Sequence, residues 1–234
     1  MTTEQTRQLN QTYNLWVEQL SDSFEPLPEL CEFLNSPKGQ SLITCGENQS
    51  VLELGCGARS IFSTHKLSSF NNSNILAIDL SQVAINYART QYPGAGNIHY
   101  SVYDALDLYD VEKFQLIVDA HCIHTVTTDR ELLLENLYQA LIPGGKLLLE
   151  AMVSHKGMLL DPGYQLEKNI LYKGEQATRY IPSAIELEYE IIAAGFEIEY
   201  FCASEGMKII PNDQRQQALA SDPDLFRIIA KKGG

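Results

Sequence analysis

Short apolar runs alternate with amphipathic segments along most of this chain of 234 residues. The runs have the length of buried strands, and the segments between them repeat apolar residues at helical spacing. Such alternation predicts βαβ units and a mostly parallel sheet. The predicted strands are residues 51–54, 75–79, 98–102, 115–120 and 145–152, and the predicted helices are residues 60–68, 82–91 and 129–141.

Two helices are predicted to begin with a capping box, in which a serine or threonine is followed three residues later by a glutamate. The pairs are Thr128 with Glu131 and Ser183 with Glu186. The first helix is expected to end at the turn 143–145, which reads Pro-Gly-Gly. The second carries three apolar side chains at helical spacing before Gly195, namely Ile185, Tyr189 and Ile192.

The two ends of the chain add elements to this α/β core. Residues 1–40 are predicted to form a helical cap that includes an amphipathic helix, and residues 41–234 a single domain. Two late apolar runs, 196–202 and 225–230, are expected to pair as an antiparallel hairpin at the sheet edge. The stretch 152–182 is long for a connection within a compact domain and is predicted to be a substrate loop.

Composition narrows the possible partners. The chain has 30 acidic and 17 basic residues and a formal net charge of −13 at pH 7. Binding to nucleic acid draws on clustered Lys and Arg, so this balance argues against a nucleic-acid partner. Five cysteines without a CxxC pair suggest neither a disulfide framework nor a zinc site. With no signal-like or membrane-spanning run in the sequence, we expect a cytoplasmic protein without a membrane partner.

The candidate chemistry begins where the first predicted strand meets a glycine turn. Residues 51–58 read Val-Leu-Glu-Leu-Gly-Cys-Gly-Ala, and the second predicted strand ends on Asp79. This arrangement is typical of nucleoside binding at the carboxyl edge of a parallel sheet, although any βα turn can carry two glycines. Ser60 replaces the third glycine of a dinucleotide motif, and the acid Glu53 suits a sulfonium better than a pyrophosphate. Together these features favour S-adenosylmethionine.

Here the chain resembles the class I S-adenosylmethionine-dependent methyltransferases, from about Val51 to Ala230. The resemblance rests on the glycine turn, on Asp79, on the loop 119–126 and on the turn 141–146. It implies a three-layer Rossmann-like sandwich with a seven-stranded sheet, and S-adenosylhomocysteine as product. Many members have a third glycine where this chain has Arg59.

The same resemblance implies roles for individual residues. Asp79 would bind the ribose hydroxyls, and Asp104 would accept a hydrogen bond from the adenine amino group. The full set of predicted cofactor-binding residues is Glu53, Gly55, Cys56, Gly57, Asp79, Leu80, Asp104, Ala105 and Asp119.

The loop after the fourth strand supplies the candidate catalytic residues, His124 first and His121 second. Either histidine could remove a proton from an acceptor oxygen, nitrogen or sulfur. A metal pair is disfavoured, because the two histidines lie on a loop without a further ligand cluster. Alignment and desolvation could also drive methyl transfer without any base.

The predicted substrate-binding residues are Tyr13, Trp16, Arg179 and Tyr180. Enclosed, aromatic-containing accessory segments and an acidic surface favour a small-molecule methyl acceptor. Two alternatives stay open: a protein or peptide methyltransferase, and a non-catalytic S-adenosylmethionine-binding regulatory protein. The sequence does not indicate an oligomeric state.

Overall fold

The computed structural model describes residues 27–43, 48–93, 96–210 and 217–234. Five α-helices and ten strands lie in these ranges. The helices are α1 (Pro28–Asn35), α2 (Pro37–Leu42), α3 (Gln82–Gln91), α4 (Arg130–Ala140) and α5 (Ala184–Ala193). The strands are β1 (Ser50–Leu54), β2 (Asn74–Asp79), β3 (Ile98–Val102), β4 (Phe114–Ala120), β5 (Leu141–Val153), β6 (Tyr164–Gln165), β7 (Ile170–Lys173), β8 (Gln176–Tyr180), β9 (Phe196–Lys208) and β10 (Asp224–Lys232).

Seven strands form the central sheet in the order β3-β2-β1-β4-β5-β10-β9. The first five strands of that order pair in parallel, and β10 pairs antiparallel to both β5 and β9. The chain crosses over between β3 and β4, so the carboxyl ends of β1 and β4 lie side by side at the point where the strand order reverses. This confirms the predicted Rossmann-like sheet and its antiparallel C-terminal hairpin, and it locates the ligand crevice.

Two hydrophobic clusters cover the two faces of the sheet. On one face, α4 and α5 bury Leu137 and Ile191 against Leu52 and Leu54 of β1. On the other face, α1 and α3 pack against strand residues that include Val51. Because β1 is buried on both sides from Val51 onwards, its sequence after Ser50 is apolar except for Glu53.

The start of α4 differs from the prediction. Asp129, in the left-handed region at φ 56°, is the N-cap and makes no side-chain capping bond. Glu131 is therefore the second helical residue rather than the third, and Thr128 instead donates a hydrogen bond to the Asp129 carboxylate at 2.9 Å. At the other end, β5 begins at Leu141, so the Pro-Gly-Gly turn lies within the first residues of the strand.

The segment 60–68 also differs from its prediction, and the segment 152–182 contains strands, while its predicted role in substrate binding stays a prediction. The helix predicted over 60–68 is a pair of 3-10 turns, Ile61–Ser63 and His65–Phe70. The predicted substrate loop 152–182 contains a three-stranded antiparallel sheet, β6-β7-β8. Met158 and Ile181 of this segment are buried in a third hydrophobic cluster with Leu225 of β10. The segment 152–182, called the insertion below, is therefore folded and packs against β10.

Helix α5 confirms its predicted capping box, because the Ser183 hydroxyl and the Glu186 carboxylate each accept a hydrogen bond from the other's backbone. Leu187 and Ile191 form its buried face. The three apolar residues that the sequence singles out lie on the opposite face, where Ile185 is 66% exposed and Tyr189 is 70% exposed.

Candidate functional site

The glycine turn after β1 has a backbone that side chains would disturb. Gly55 has φ +64° and Gly57 has φ +56°, both in the left-handed region. A Cβ on Gly55 would lie 2.6 Å from the Cβ of Cys122. Arg59, where many related sequences have a third glycine, does not have a positive φ, so this turn does not need one. The loop after β4 thus packs directly against the turn.

Glu53 supports this turn from beneath. It is fully buried, and its carboxylate accepts hydrogen bonds from the Ser60 hydroxyl and from the Ile61 backbone N–H, the latter at 3.0 Å. Burial raises the pKa of Glu53 to about 7, although these two hydrogen bonds oppose the shift. Ser60 therefore fastens the loop where a dinucleotide motif would have glycine. The predicted effect of Glu53 on a bound sulfonium stays a prediction.

Asp79 is held at the end of β2 by backbone groups. One carboxylate oxygen accepts from Gly57 N at 3.0 Å and the other from Ser81 N at 2.7 Å. A carboxylate oxygen has a second lone pair, so these bonds are compatible with the predicted contact to two ribose hydroxyls. The same side chain thus connects the acid motif to the glycine turn.

Asp104 lies at the next strand end, beside Asp79. The carbonyl of Asp79 accepts a hydrogen bond from Tyr103 N at 3.0 Å, which joins the two loops. The Asp104 carboxylate caps the 3-10 turn Ala105–Asp107 by accepting from Leu106 N. Ala105 is buried and Leu80 is half-buried. The predicted cofactor residues on β1, β2 and β3 therefore share one edge of the sheet.

Asp119 shapes the loop that carries both histidines. It is fully buried, and one of its oxygens accepts from the backbone N–H groups of Cys122 and Ile123 at 3.1 and 2.8 Å. Burial raises the pKa of Asp119 to about 7, and the two backbone bonds oppose the shift. Its other oxygen has no hydrogen-bond partner among the described residues. Asp119 therefore contacts the loop, and its predicted role towards the cofactor stays a prediction.

His124, the first candidate base, is enclosed. Only 4% of it is exposed, and its Nδ1 is buried without a hydrogen bond to any described residue. Burial, followed by the positive charge of Arg179, holds the pKa of His124 well below its usual value. The imidazole is therefore neutral at physiological pH.

His121 is more open and has an acidic neighbour. Its backbone lies in the left-handed region at φ +65°. Its Nε2 lies 3.3 Å from Oε2 of Glu150, a carboxylate on β5 that is 2% exposed. The other oxygen of Glu150 accepts from Arg227 of β10, with 2.7 Å to Nε. Neither Glu150 nor Arg227 belongs to a sequence motif, so this ion pair could not be predicted from the sequence alone.

A cavity of about 290 Å³ opens beside His121. Glu150 also lines it. The remaining wall combines apolar and charged residues from α1, β9 and β10, among them Leu27, Glu29, Met207, Lys208 and Leu225. This cavity could hold a small organic molecule next to the histidine loop.

The insertion reaches the same loop from the other side. The Tyr180 hydroxyl donates to Glu190 at 2.5 Å, and the Arg130 guanidinium stacks 4.0 Å from the Tyr180 ring. Arg130 also donates to the Ile123 carbonyl at 2.8 Å. The structure thus brings Tyr180 and Arg179 to His124, and neither lines the cavity. Their predicted contact with substrate stays a prediction.

Several predictions concern residues without a described position. Tyr13 and Trp16 lie outside the described residues, as does most of the predicted cap.

Within the described ranges, no cluster of three or more His, Cys, Asp or Glu side chains could hold a metal ion. Over those same ranges, no helix is long and apolar enough to span a membrane.

The residues at the carboxyl edge of the central sheet fit S-adenosylmethionine, the ligand that the motifs predict. Gly55 and Gly57 give the turn a left-handed backbone, Asp79 and Asp104 lie at the carboxyl ends of adjacent strands, and backbone N–H groups fix the Asp79 carboxylate. An adenosine with a positively charged sulfur tail suits two carboxylates and a glycine turn better than a pyrophosphate does.

Comparison with known proteins points the same way. Residues 52–149 match a family model described as a methyltransferase domain. A malonyl-[acyl-carrier protein] O-methyltransferase of Ilyobacter polytropus is 23% identical over 188 residues, which are 76% of this chain and 70% of that protein. The ubiquinone/menaquinone biosynthesis C-methyltransferase UbiE of Vibrio campbellii is 26% identical over 118 residues, 49% of this chain and 40% of that protein.

Solved structures share the fold. The [4+2]-cyclase SpnF superposes with a TM-score of 0.67 at 15% identity and covers 97% of both chains. A SAM-dependent methyltransferase from Methanosarcina mazei gives a TM-score of 0.62 at 19% identity over 90% of this chain and 99% of that one. With the matched domain and the strand order, these findings confirm the prediction that the chain has the class I Rossmann-like methyltransferase fold, and the matched domain and relatives are those of S-adenosylmethionine-dependent methyltransferases.

Proposed function

We propose that this protein transfers the methyl group of S-adenosylmethionine to a small-molecule acceptor bound in the cavity beside His121. One observation carries the proposal. The loop 121–125 contacts Gly55 of the cofactor turn through Cys122 and borders the cavity through His121. The cofactor edge and the cavity therefore meet at this loop, which suits a transfer between two ligands bound side by side.

The size and lining of the cavity support a small acceptor. Its volume of about 290 Å³ is just below the range for small-molecule pockets, roughly 300–1,000 Å³, so the acceptor that it fits is small. Apolar residues such as Leu27 and Leu225 would bind the acceptor body, and His121 would meet its polar group. The name of one relative is in keeping with this idea, since it is a C-methyltransferase of ubiquinone and menaquinone biosynthesis.

The protein's contribution to catalysis follows from these positions. S-adenosylmethionine supplies a methyl group activated by the adjacent sulfonium. Asp79 and the glycine turn would hold the nucleoside, and the loop 121–125 would set the distance to the acceptor. Aligning two bound reactants removes much of the entropic barrier of a bimolecular step. Buried Glu53 and Asp119 keep both loops in place.

The experiment uses isotopically methyl-labelled S-adenosylmethionine with a fractionated metabolite extract and, separately, with a protein fraction. We expect label in low-mass products and none in protein. Label only in protein would favour the peptide methyltransferase, and cofactor binding without label in either fraction would favour the regulatory alternative.

A cavity-filling variant tests the location. Met207 lines the cavity and is 37% exposed, so Met207→Trp can narrow the cavity without disturbing the core. Leu166→Trp is the matched control, because Leu166 is 55% exposed and does not line the cavity. We expect Met207→Trp to lose turnover while both variants bind S-adenosylmethionine normally. Normal turnover in Met207→Trp would place the acceptor elsewhere.

A further inference from the structure

Three side chains from three separate elements form a row that begins at the cavity wall with His121 and Glu150 and continues inward to Arg227. His121 follows β4, Glu150 lies on β5, and Arg227 lies on β10. His121 Nε2 is 3.3 Å from one oxygen of Glu150, and the other oxygen binds Arg227. None of the motifs in the sequence involves Glu150 or Arg227.

Glu150 and Arg227, the two buried members of this row, are held in place by the sheet. Glu150 and Arg227 face each other in the antiparallel register of β5 and β10, and they are 2% and 8% exposed. The Arg227 guanidinium also stacks on the ring of Phe33 at 4.2 Å. Burial alone would raise the pKa of Glu150, yet the neighbouring His121 ring and the charge of Arg227 hold it below its ordinary value. Glu150 is therefore a fixed anion.

His121, the member nearest the cavity, differs from its neighbour His124 in its exposure. About a quarter of the His121 side chain is exposed and it lines the cavity, whereas His124 is 4% exposed and does not. His121 also has a left-handed backbone at φ +65°, a conformation that costs energy for a non-glycine residue. Nε2 of His121 is buried beside Glu150, so Nδ1 is the ring nitrogen left for a ligand.

We propose that Glu150, fixed by Arg227, orients His121 so that its Nδ1 accepts a proton from an acceptor that carries an O–H, N–H or S–H group. The inference rests on the proposed function, and it specifies the chemical class of the acceptor. It assigns proton transfer to His121 rather than to His124. Glu150 and Arg227 are positioning residues, because they act through the imidazole.

The atoms and electrons balance in this step. The acceptor heteroatom forms a bond to the methyl carbon as the bond between that carbon and the sulfonium sulfur breaks. The bonding pair stays on sulfur, and the proton of the heteroatom goes to His121 Nδ1. The imidazolium that forms is stabilised by the Glu150 carboxylate and loses its proton to solvent through the exposed part of the ring. The same arrangement of base and orienting carboxylate serves other enzymes that activate a nucleophile.

The first test reads the histidine tautomer in the protein without ligands, so it does not depend on activity. In spectra of ¹⁵N-labelled protein recorded above the histidine titration range, we expect the proton of His121 on Nε2, facing Glu150. The signal is assigned by its loss in His121→Gln, with His99→Gln as the control because His99 is exposed on β3. A proton on Nδ1 would overturn the proposal.

The second test separates positioning from stability. Removing one member of a buried ion pair leaves the other uncompensated, so single variants of Glu150 or Arg227 can fail to fold. The double variant Glu150→Leu/Arg227→Met replaces both charges with apolar groups, which proteins often tolerate. We expect this variant to fold and to lose the fixed tautomer, with its kcat reduced towards the value of His121→Gln.

Kinetics complete the design. We expect His121→Gln to lower kcat about 100-fold, the usual contribution of a general base, with S-adenosylmethionine affinity within about twofold. Added imidazole should partly restore turnover to His121→Gly, which a purely structural role would not allow. Wild-type kcat in the double variant would overturn only this inference. Absence of turnover in the wild type with every acceptor would overturn the proposed function and the inference together.

Discussion

Replacing Glu53 by glutamine should change how stability depends on pH. Glu53 is fully buried below the glycine turn, and its pKa rises from 4.5 to about 7 in the folded protein. An acid whose pKa is raised in the folded protein contributes its full stabilisation when the pH is below its pKa in the unfolded chain. The contribution is lost as the pH rises from that value to the pKa in the folded protein, because over this range the unfolded chain releases a proton that the folded protein retains. Glutamine resembles the protonated acid and has no such loss.

The magnitude follows from the size of the shift. At about 1.36 kcal/mol per pKa unit, the whole shift corresponds to roughly 3 kcal/mol. The sequence pI is about 4.7, so measurements near that pH risk precipitation. A series that starts at about pH 5.5 covers about 1.5 pH units below the folded-state pKa of Glu53, which corresponds to a change of about 2 kcal/mol in the free energy of unfolding. Relative to wild type, Glu53→Gln should therefore gain about 2 kcal/mol between about pH 5.5 and pH 8.

The assay is equilibrium urea unfolding of both proteins across this range, with the slope in urea checked for constancy. Asp119→Asn is the companion variant, because burial also raises the pKa of Asp119 to about 7 and the relative stability should change in the same direction. A difference between wild type and Glu53→Gln that is constant with pH would refute the reasoning, since Glu53 would then be ionised throughout.

Three further predictions concern the same edge of the sheet and helix α5. Asp79→Ala should weaken S-adenosylmethionine binding about 10- to 100-fold, the worth of a charged hydrogen-bonding group, as measured by calorimetry; unchanged affinity would remove Asp79 from the ribose site. Gly55→Ala should lower the free energy of unfolding by about 1–3 kcal/mol, because its Cβ would lie 2.6 Å from the Cβ of Cys122 and its φ is +64°. Denaturant unfolding checks this, and wild-type stability would mean that the loop after β4 moves freely. Ser183→Ala should cost about 1 kcal/mol through loss of the capping box, and an unaltered urea midpoint would contradict it.

Much of the parallel core could be predicted from the sequence. Strands buried on both faces, such as β1 and β2, produce continuous apolar runs that few other structures would give. Helix α3 has the predicted bounds, because Ser81 accepts a capping bond from Ala84 N and so fixes its start.

The errors occur where a local pattern allowed two structures. Thr128 and Asp129 can each cap a helix, and the backbone of Asp129 in the left-handed region decides between them. Helix α5 has apolar residues on two faces, and only its contact with the sheet selects Leu187 and Ile191 over Ile185. Both choices depend on tertiary packing.

The candidate site was predictable where it is made of consecutive residues. The glycine turn and the strand-end acids belong to short motifs, so their position at one edge followed from the parallel sheet. The ion pair of Glu150 and Arg227 joins residues 77 positions apart, and an isolated glutamate or arginine in an apolar strand carries no local signal. The cavity likewise depends on α1, β9 and β10 meeting at the same place.

The insertion of β10 between β5 and β9 has a consequence for how the protein folds. Glu150 has its arginine partner only after a strand far along the chain has entered the sheet. Contacts of this sequence separation form slowly, because the closure entropy of a long loop must be overcome first. A chain that has emerged from the ribosome only as far as β9 would already contain the cofactor turn, Asp79 and both histidines, but not Arg227. The Glu150–Arg227 pair is therefore among the last contacts of the sheet that the growing chain can form.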